Sequence, residues 1–133
     1  MPGPSGKSVV QKLGIKPGFR IFVDGAPAYA DIVGKLPDGV AVLSRARAPL
    51  DMVHLFATNV AGLARQLRRH REAIAPDGMI WVSWPKQASG VATDLSDVAV
   101  RDTALVLGLV DVKVCAIDQT WSGLKFVIPK GLR

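Results

Sequence analysis

NVAGLARQLRRHREAIAPDGMIWVSW, residues 59–84, carries the two periodicities that decide the fold. In its first part Val60, Leu63, Ala64, Leu67 and Ile74 fall on one face of a helix expected over residues 59–74. Arg65, Arg68, Arg69 and Glu72 project from the opposite, solvated face. Thr58 or Asn59 can cap the start, while Arg68, Arg69, His70 and Arg71 crowd the end, where the helix dipole favours positive charge. Pro76-Asp77-Gly78 breaks this helix, and residues 79–84 (MIWVSW) read as a strand apolar on both faces. That pattern belongs to a central strand of a parallel sheet covered from two sides.

The flanks extend the same alternation. Upstream lie a short helix from Ser8, its N-cap, to Gly14, its stop, and a strand over residues 19–23 (FRIFV). A brief helix over residues 26–34 with Pro27 in its first turn follows, then strands over residues 40–44 and 51–57. Downstream, a polar loop over residues 86–93 (KQASGVAT) leads into a helix capped by Thr93 or Asp94 and running through Leu107, with Gly108 ending it. Strands over residues 110–117 and 124–128 close the chain, joined by residues 118–123, a connection of hairpin length. The order predicts an α/β fold: a three-layer, Rossmann-like, mostly parallel sheet with an antiparallel C-terminal hairpin.

With 133 residues, 49% of them hydrophobic, the chain can close one ordinary core, expected over residues 9–133 behind a flexible leader at residues 1–8. A spanning helix needs about 20 consecutive apolar residues, and no run comes near that, so membrane insertion is excluded. The leader lacks the apolar core of a secretion signal, which points to a cytoplasmic protein. Cys115 is the only cysteine, so paired-cysteine metal sites and an internal disulfide are excluded. Seventeen Lys and Arg against eleven Asp and Glu give +6, yet aromatics are only 6% and lie mostly inside apolar runs, so a base-stacking platform is not expected. No catalytic triad order, nucleophile elbow, Walker loop or metal-ligand spacing is present, and neither catalytic nor metal-ligating residues are assigned.

Ile15-Lys-Pro-Gly18 before a strand, Pro49-Leu-Asp51 opening another, and Ile74-Ala-Pro-Asp-Gly-Met-Ile-Trp-Val82 together resemble the class I S-adenosylmethionine-dependent methyltransferases over residues 15–128. The whole-chain wording, notably Trp84-Pro-Lys-Gln-Ala-Ser-Gly90, Thr93-Asp-Leu95 and residues 108–126, is closer still to a small bacterial family of unknown function with a truncated form of that pattern. The resemblance implies a glycine-rich turn after the first strand and an acid at the end of the second. This chain reads Val23-Asp-Gly-Ala-Pro-Ala-Tyr29 and Leu43-Ser44-Arg45 at those places. One glycine remains, Pro27 removes a backbone donor, Ala28 and Tyr29 put side chains where the family keeps space, and the sugar-binding acid is absent. Only residues 45–50 join the second strand to the third, so a helix and a strand of the family are missing.

Ligands of open α/β sheets bind outside the carboxyl ends of the strands, where strand order reverses, here between the first and third strands. Asp24, Gly25, Ser44, Arg45, Thr58, Asn59, Lys86 and Ser89, with Asp118, are expected at that edge. Simpler duties compete: a turn bond for Asp24, helix capping for Thr58 and Asn59, a solvated connection for Lys86 and Ser89. Arg45 and Arg47, with Lys35 nearby in sequence, form a candidate anion site where the ribose acid is absent. His54 reads as a packed residue, His70 as a partner of the helix dipole, and Trp81 and Trp84 as core residues on opposite sheet faces. The expectation is a non-catalytic methyltransferase-derived domain that holds a small ligand or a protein partner and has no cofactor. A minimal methyltransferase gripping S-adenosylmethionine through Asp24, Thr58 and Lys86 is the enzymatic alternative, and a basic nucleic-acid accessory protein the third. The edge strand at residues 40–44 would suit a homo-oligomer.

Overall fold

Ser8 accepts from the Gln11 N–H while the Gln11 side chain accepts from the Ser8 N–H, a reciprocal cap that starts helix α1 (Val9–Leu13). Gly14 ends it at φ 76°, a left-handed turn that favours glycine. The computed structural model describes residues 8–26 and 28–133, so the leader before Ser8 and Pro27 lie outside the described residues. After α1 come strand β1 (Arg20–Asp24), helix α2 (Tyr29–Val33), strands β2 (Ala41–Leu43) and β3 (Leu50–Phe56) and helix α3 (Val60–Arg71). Strand β4 (Ile74–Pro85), helix α4 (Asp97–Val106) and strands β5 (Val110–Ala116) and β6 (Trp121–Val127) complete the sheet.

The sheet order is β2-β1-β3-β4-β6-β5. The pairs among β2, β1, β3 and β4 are parallel, and β6 runs antiparallel to both β4 and β5. Two apolar layers sandwich it. On one face Leu63 and Leu67 of α3 and Val100 and Ala104 of α4 meet Leu50, Val53, Leu55, Ile80, Val82, Leu124 and Phe126. On the other, Val10 and Leu13 of α1 and Tyr29 and Val33 of α2 meet Ile21, Met52, Phe56 and Trp81. Trp81 and Trp84 are split between these layers, as their odd spacing requires. The buried indole N–H of Trp81 donates to the Leu13 carbonyl at 2.9 Å, pinning the end of α1 to the sheet. Among the described residues no helix is long and apolar enough to cross a membrane.

Several boundaries differ from the sequence expectation. Helix α3 stops at Arg71, and Ile74 pairs with Leu50 as the first residue of β4 instead of ending the helix. Leu50 faces Ile74 but Met52 faces Met79, so residues 75–78 bulge out of a strand that the Pro-Asp-Gly sequence had seemed to interrupt. Helix α4 is capped by Ser96, whose hydroxyl accepts from the Ala99 N–H, and not by Thr93 or Asp94. Those two residues are recruited elsewhere. Strand β6 begins at Trp121, because Asp118 folds its carboxylate over the Thr120 and Trp121 N–H groups and tightens the hairpin.

Gly78 is the residue the bulge depends on. A Cβ there would stand 2.9 Å from the Leu50 carbonyl oxygen and 3.0 Å from that of Ala75, both backbone atoms that cannot rotate away. Gly78→Ala is expected to destabilise the protein by about 2 kcal/mol in urea unfolding, the usual scale of overpacking. Gly131→Ala, with nothing within 4 Å, should stay within about 0.5 kcal/mol of the parent. Equal unfolding midpoints for the two variants would contradict this account of the bulge.

Candidate functional site

Alternation along β1 sends Phe22 to the α3 side, and Ile21 and Val23 to the α1 and α2 side. Asp24, in step with Phe22, reaches the carboxyl end on the α3 side. Gly25 follows at φ 90°, with its missing Cβ only 2.8 Å from where the Phe56 carbonyl oxygen stands. The end of β1 is thereby pressed onto the end of β3, at the point where the chain's strand order reverses. Beyond this contact opens a cleft of about 590 Å³ lined by Asp24, residues 56–59 and the first turns of α3 with Gly62, Arg65, Gln66 and Arg69.

The cleft is polar and carries both signs of charge. Asp24 stands on its strand side, Arg65 and Arg69 on its helix side. His70, fully buried in the last turn of α3, donates its Nε2–H to the Asp24 carboxylate at 2.8 Å. Its ring packs at 5.4 Å from that of Phe22, and its Nδ1 has no hydrogen-bond partner. The segment before α4 is tied to the start of α3. Asp94 accepts from the Val60 N–H at 2.9 Å, and the Thr93 hydroxyl donates to the Thr58 carbonyl at 2.6 Å. Asn59 caps α3 by accepting from the Gly62 N–H at 2.7 Å.

The residues expected at one edge divide among three places. Asp24, Thr58 and Asn59 line the cleft, with Gly25 as the backbone contact behind it. Ser44 and Arg45 open on a different groove, of about 300 Å³, shared with Arg20, Leu43 and Arg47. Lys86 and Ser89 are drawn into the loop after β4. The Lys86 ammonium donates to the Asp118 carbonyl, and the Ser89 hydroxyl donates to the Lys86 carbonyl at 2.6 Å. Three contributors went unrecognised in the sequence. Arg65 and Arg69 are exposed, as a solvated face should be, yet they border the cleft. His70 lies on the buried stripe with Leu63 and Leu67, a position its spacing of seven from Leu63 does signal.

On the opposite face a second polar cluster is closed to solvent. Tyr29 Oη and Ser83 Oγ each stand 2.7 Å from a ring nitrogen of His54, so the neutral imidazole donates to one hydroxyl and accepts from the other. Phe56 stacks on the His54 ring at 4.4 Å. Burial pushes the Tyr29 hydroxyl above its ordinary range and holds the His54 pKa down at about 3. Tyr29 thus fills the space beneath the β1–α2 turn, while Ala28 is exposed. Among the described residues no three His, Cys, Asp or Glu are grouped to hold a metal ion.

No protein-family model and no curated protein matches this chain. Solved structures do. A SAM-dependent methyltransferase from Aquifex aeolicus aligns with a TM-score of 0.64 at 15% identity, over 90% of this chain and 87% of that one. The fold is methyltransferase-like. A methyltransferase from Pyrococcus furiosus aligns with a TM-score of 0.60 at 10% identity, covering 89% of this chain and 79% of its own. Aeropyrum pernix fibrillarin in complex with S-adenosyl-L-methionine gives 0.58 at 18% identity, covering 85% and 68%. These likenesses concern the mixed, Rossmann-like sheet with its antiparallel strand near the C-terminus.

The buried His54 makes a pH prediction. Its folded-state pKa of about 3 lies below the ordinary 6.5, so between those values the unfolded chain binds more protons than the folded one. Its stabilising effect is therefore complete above pH 6.5 and is lost as pH falls toward 3, by about 1.4 kcal/mol per unit. Urea unfolding at pH 7 and pH 5 should show a fall of about 2 kcal/mol in the parent. In His54→Gln the fall should be much smaller, and an equal fall in both proteins would refute the assignment.

Proposed function

We propose that this chain is a non-catalytic, methyltransferase-derived α/β domain that binds a small ligand in the cleft beside Asp24. One observation carries the reading: the end of β1 and the end of β2 serve different cavities. Asp24 borders the 590 Å³ cleft, while Ser44 and Arg45 border the 300 Å³ groove. A nucleoside-bearing methyl donor has to be held at both strand ends at once, by a permissive turn and by an acid on the sugar. Here Gly25 is spent on contact with Phe56, Tyr29 fills the turn from beneath, and Ser44 stands where the acid would be.

The lining supports a ligand that carries an anionic group and a hydrogen-bond donor. Arg65 and Arg69 offer guanidinium edges that match a carboxylate or phosphate, and Asp24 offers an oxygen on the facing wall. A protein segment with an acidic side chain could supply the same groups. The reading of the chain as a minimal methyltransferase draws on the cleft's place at the strand-order reversal. It has to do without Lys86, whose ammonium is engaged by the Asp118 carbonyl.

A thermal-shift screen against S-adenosylmethionine, its demethylated product, nucleosides and acidic metabolites tests both. A ligand at a hundred times its Kd stabilises the folded state by about 2.7 kcal/mol, which moves the melting temperature by several degrees. The expected outcome is stabilisation by an acidic compound that is lost in the Arg65→Ala, Arg69→Ala double variant. Methyl transfer from S-adenosylmethionine to any acceptor, with turnover dependent on Asp24, would defeat the non-catalytic reading.

A further inference from the structure

We infer that the groove formed by Arg20, Ser44, Arg45 and Arg47 is a second binding site, separate from the Asp24 cleft, that takes the phosphoryl group of a small phosphorylated compound. The groove exists because of how the chain leaves β2. Residues 44–49 turn back directly to the start of β3, carrying Arg45 and Arg47 past Arg20 at the start of β1. Three arginines and a serine then line a cavity of about 300 Å³.

Among the described residues none of the three arginines has a carboxylate within 4 Å of its guanidinium. The ion pairs among the described residues are formed by His70 with Asp24 and by Arg101 with Asp97 and Asp111. The nearest acid in the local network, Asp51, accepts from the Arg20 backbone N–H at 2.8 Å. Arg20 is also held in place. Its Nε–H donates to the Pro49 carbonyl at 3.1 Å and its Nη2 to the Arg47 carbonyl at 3.5 Å, which leaves its other donors for a ligand. Like charges brought together without counter-charge repel, and an anion in the groove converts that cost into attraction. Phosphate fits this donor set because its oxygens accept forked N–H pairs from several guanidinium planes and a hydroxyl bond together. Leu43 gives the groove one apolar wall, against which the carbon part of a phosphomonoester can rest.

The test is calorimetric titration of the full chain with inorganic phosphate and with a sugar phosphomonoester at low ionic strength. Arg45 and Arg47 are exposed and their side chains make no hydrogen bond to the described residues, so their variants should fold normally, which urea unfolding checks. Saturable binding is expected, with the monoester tighter than free phosphate. Affinity should fall at least tenfold in Arg45→Gln, Arg47→Gln, and by a similar factor in Arg47→Lys, which keeps the charge but loses the fork. The same titration is run in the Arg65→Ala, Arg69→Ala background, which removes the cleft's own guanidinium groups: phosphate binding that persists there and falls when Arg45→Gln, Arg47→Gln is added belongs to the groove, so failure of one site is distinguishable from failure of the other. Phosphate affinity unchanged by the Arg45 and Arg47 substitutions would overturn the inference. So would a single-stranded RNA that binds far tighter than the monoester with a salt dependence of many charges, since the groove would then be part of a nucleic-acid face.

Discussion

Gly25 lies so close to the Phe56 carbonyl that a methyl group in place of its hydrogen would reach 2.8 Å from the oxygen. That contact ties the ends of β1 and β3 together at the reversal of strand order, and much of the site follows from it. With the turn drawn down, Tyr29 enters the core beneath it and meets His54 on β3, which in turn meets Ser83 on β4. The turn is thus connected to the middle of the sheet through a hydrogen-bonded chain in a dry layer. A hydroxyl or imidazole left alone there would cost about 1–3 kcal/mol, so the three residues depend on one another. The cleft lies on the α3 side of this point.

Asp24 has two duties in that volume. Its carboxylate is the hydrogen-bond partner of a fully buried histidine and also part of the cleft wall. Without it both ring nitrogens of His70 would be unpartnered in the core, since Nδ1 already is. The histidine fixes the carboxylate against the end of α3, so one wall of the cleft is rigid. The facing wall carries Arg65 and Arg69, long exposed side chains.

The sheet was legible in the sequence because its central strands are apolar on both faces and helix α3 carries a clear stripe. The run at residues 79–84 could hardly be anything but a buried strand, and Leu63 and Leu67 could hardly face water. Boundaries failed where two local signals competed. Pro76-Asp77-Gly78 is good turn chemistry, but the pairing of Ile74 with Leu50 extends the strand across it as a bulge. Thr93 and Asp94 are good helix caps, and they do engage the start of a helix region, though it is α3 and not α4. Capping propensity identifies the chemistry of a residue without naming its helix. The site was less legible for a related reason. Topology brings strand ends to one edge of a sheet, but whether two ends share a cavity depends on side-chain volumes and loop paths that spacing does not encode.

The short link from β2 to β3 has two effects. A longer excursion with its own helix and strand would pair β2 on its outer side and pack over the end of β1. Residues 44–49 do neither, so β2, only three residues long, becomes the sheet edge and its end turns away from Asp24. A three-residue edge flanked by arginines is a poor template for another strand, because it offers few free backbone groups and repels a copy of itself. Among the described residues the same arginines that discourage strand addition are left without carboxylates.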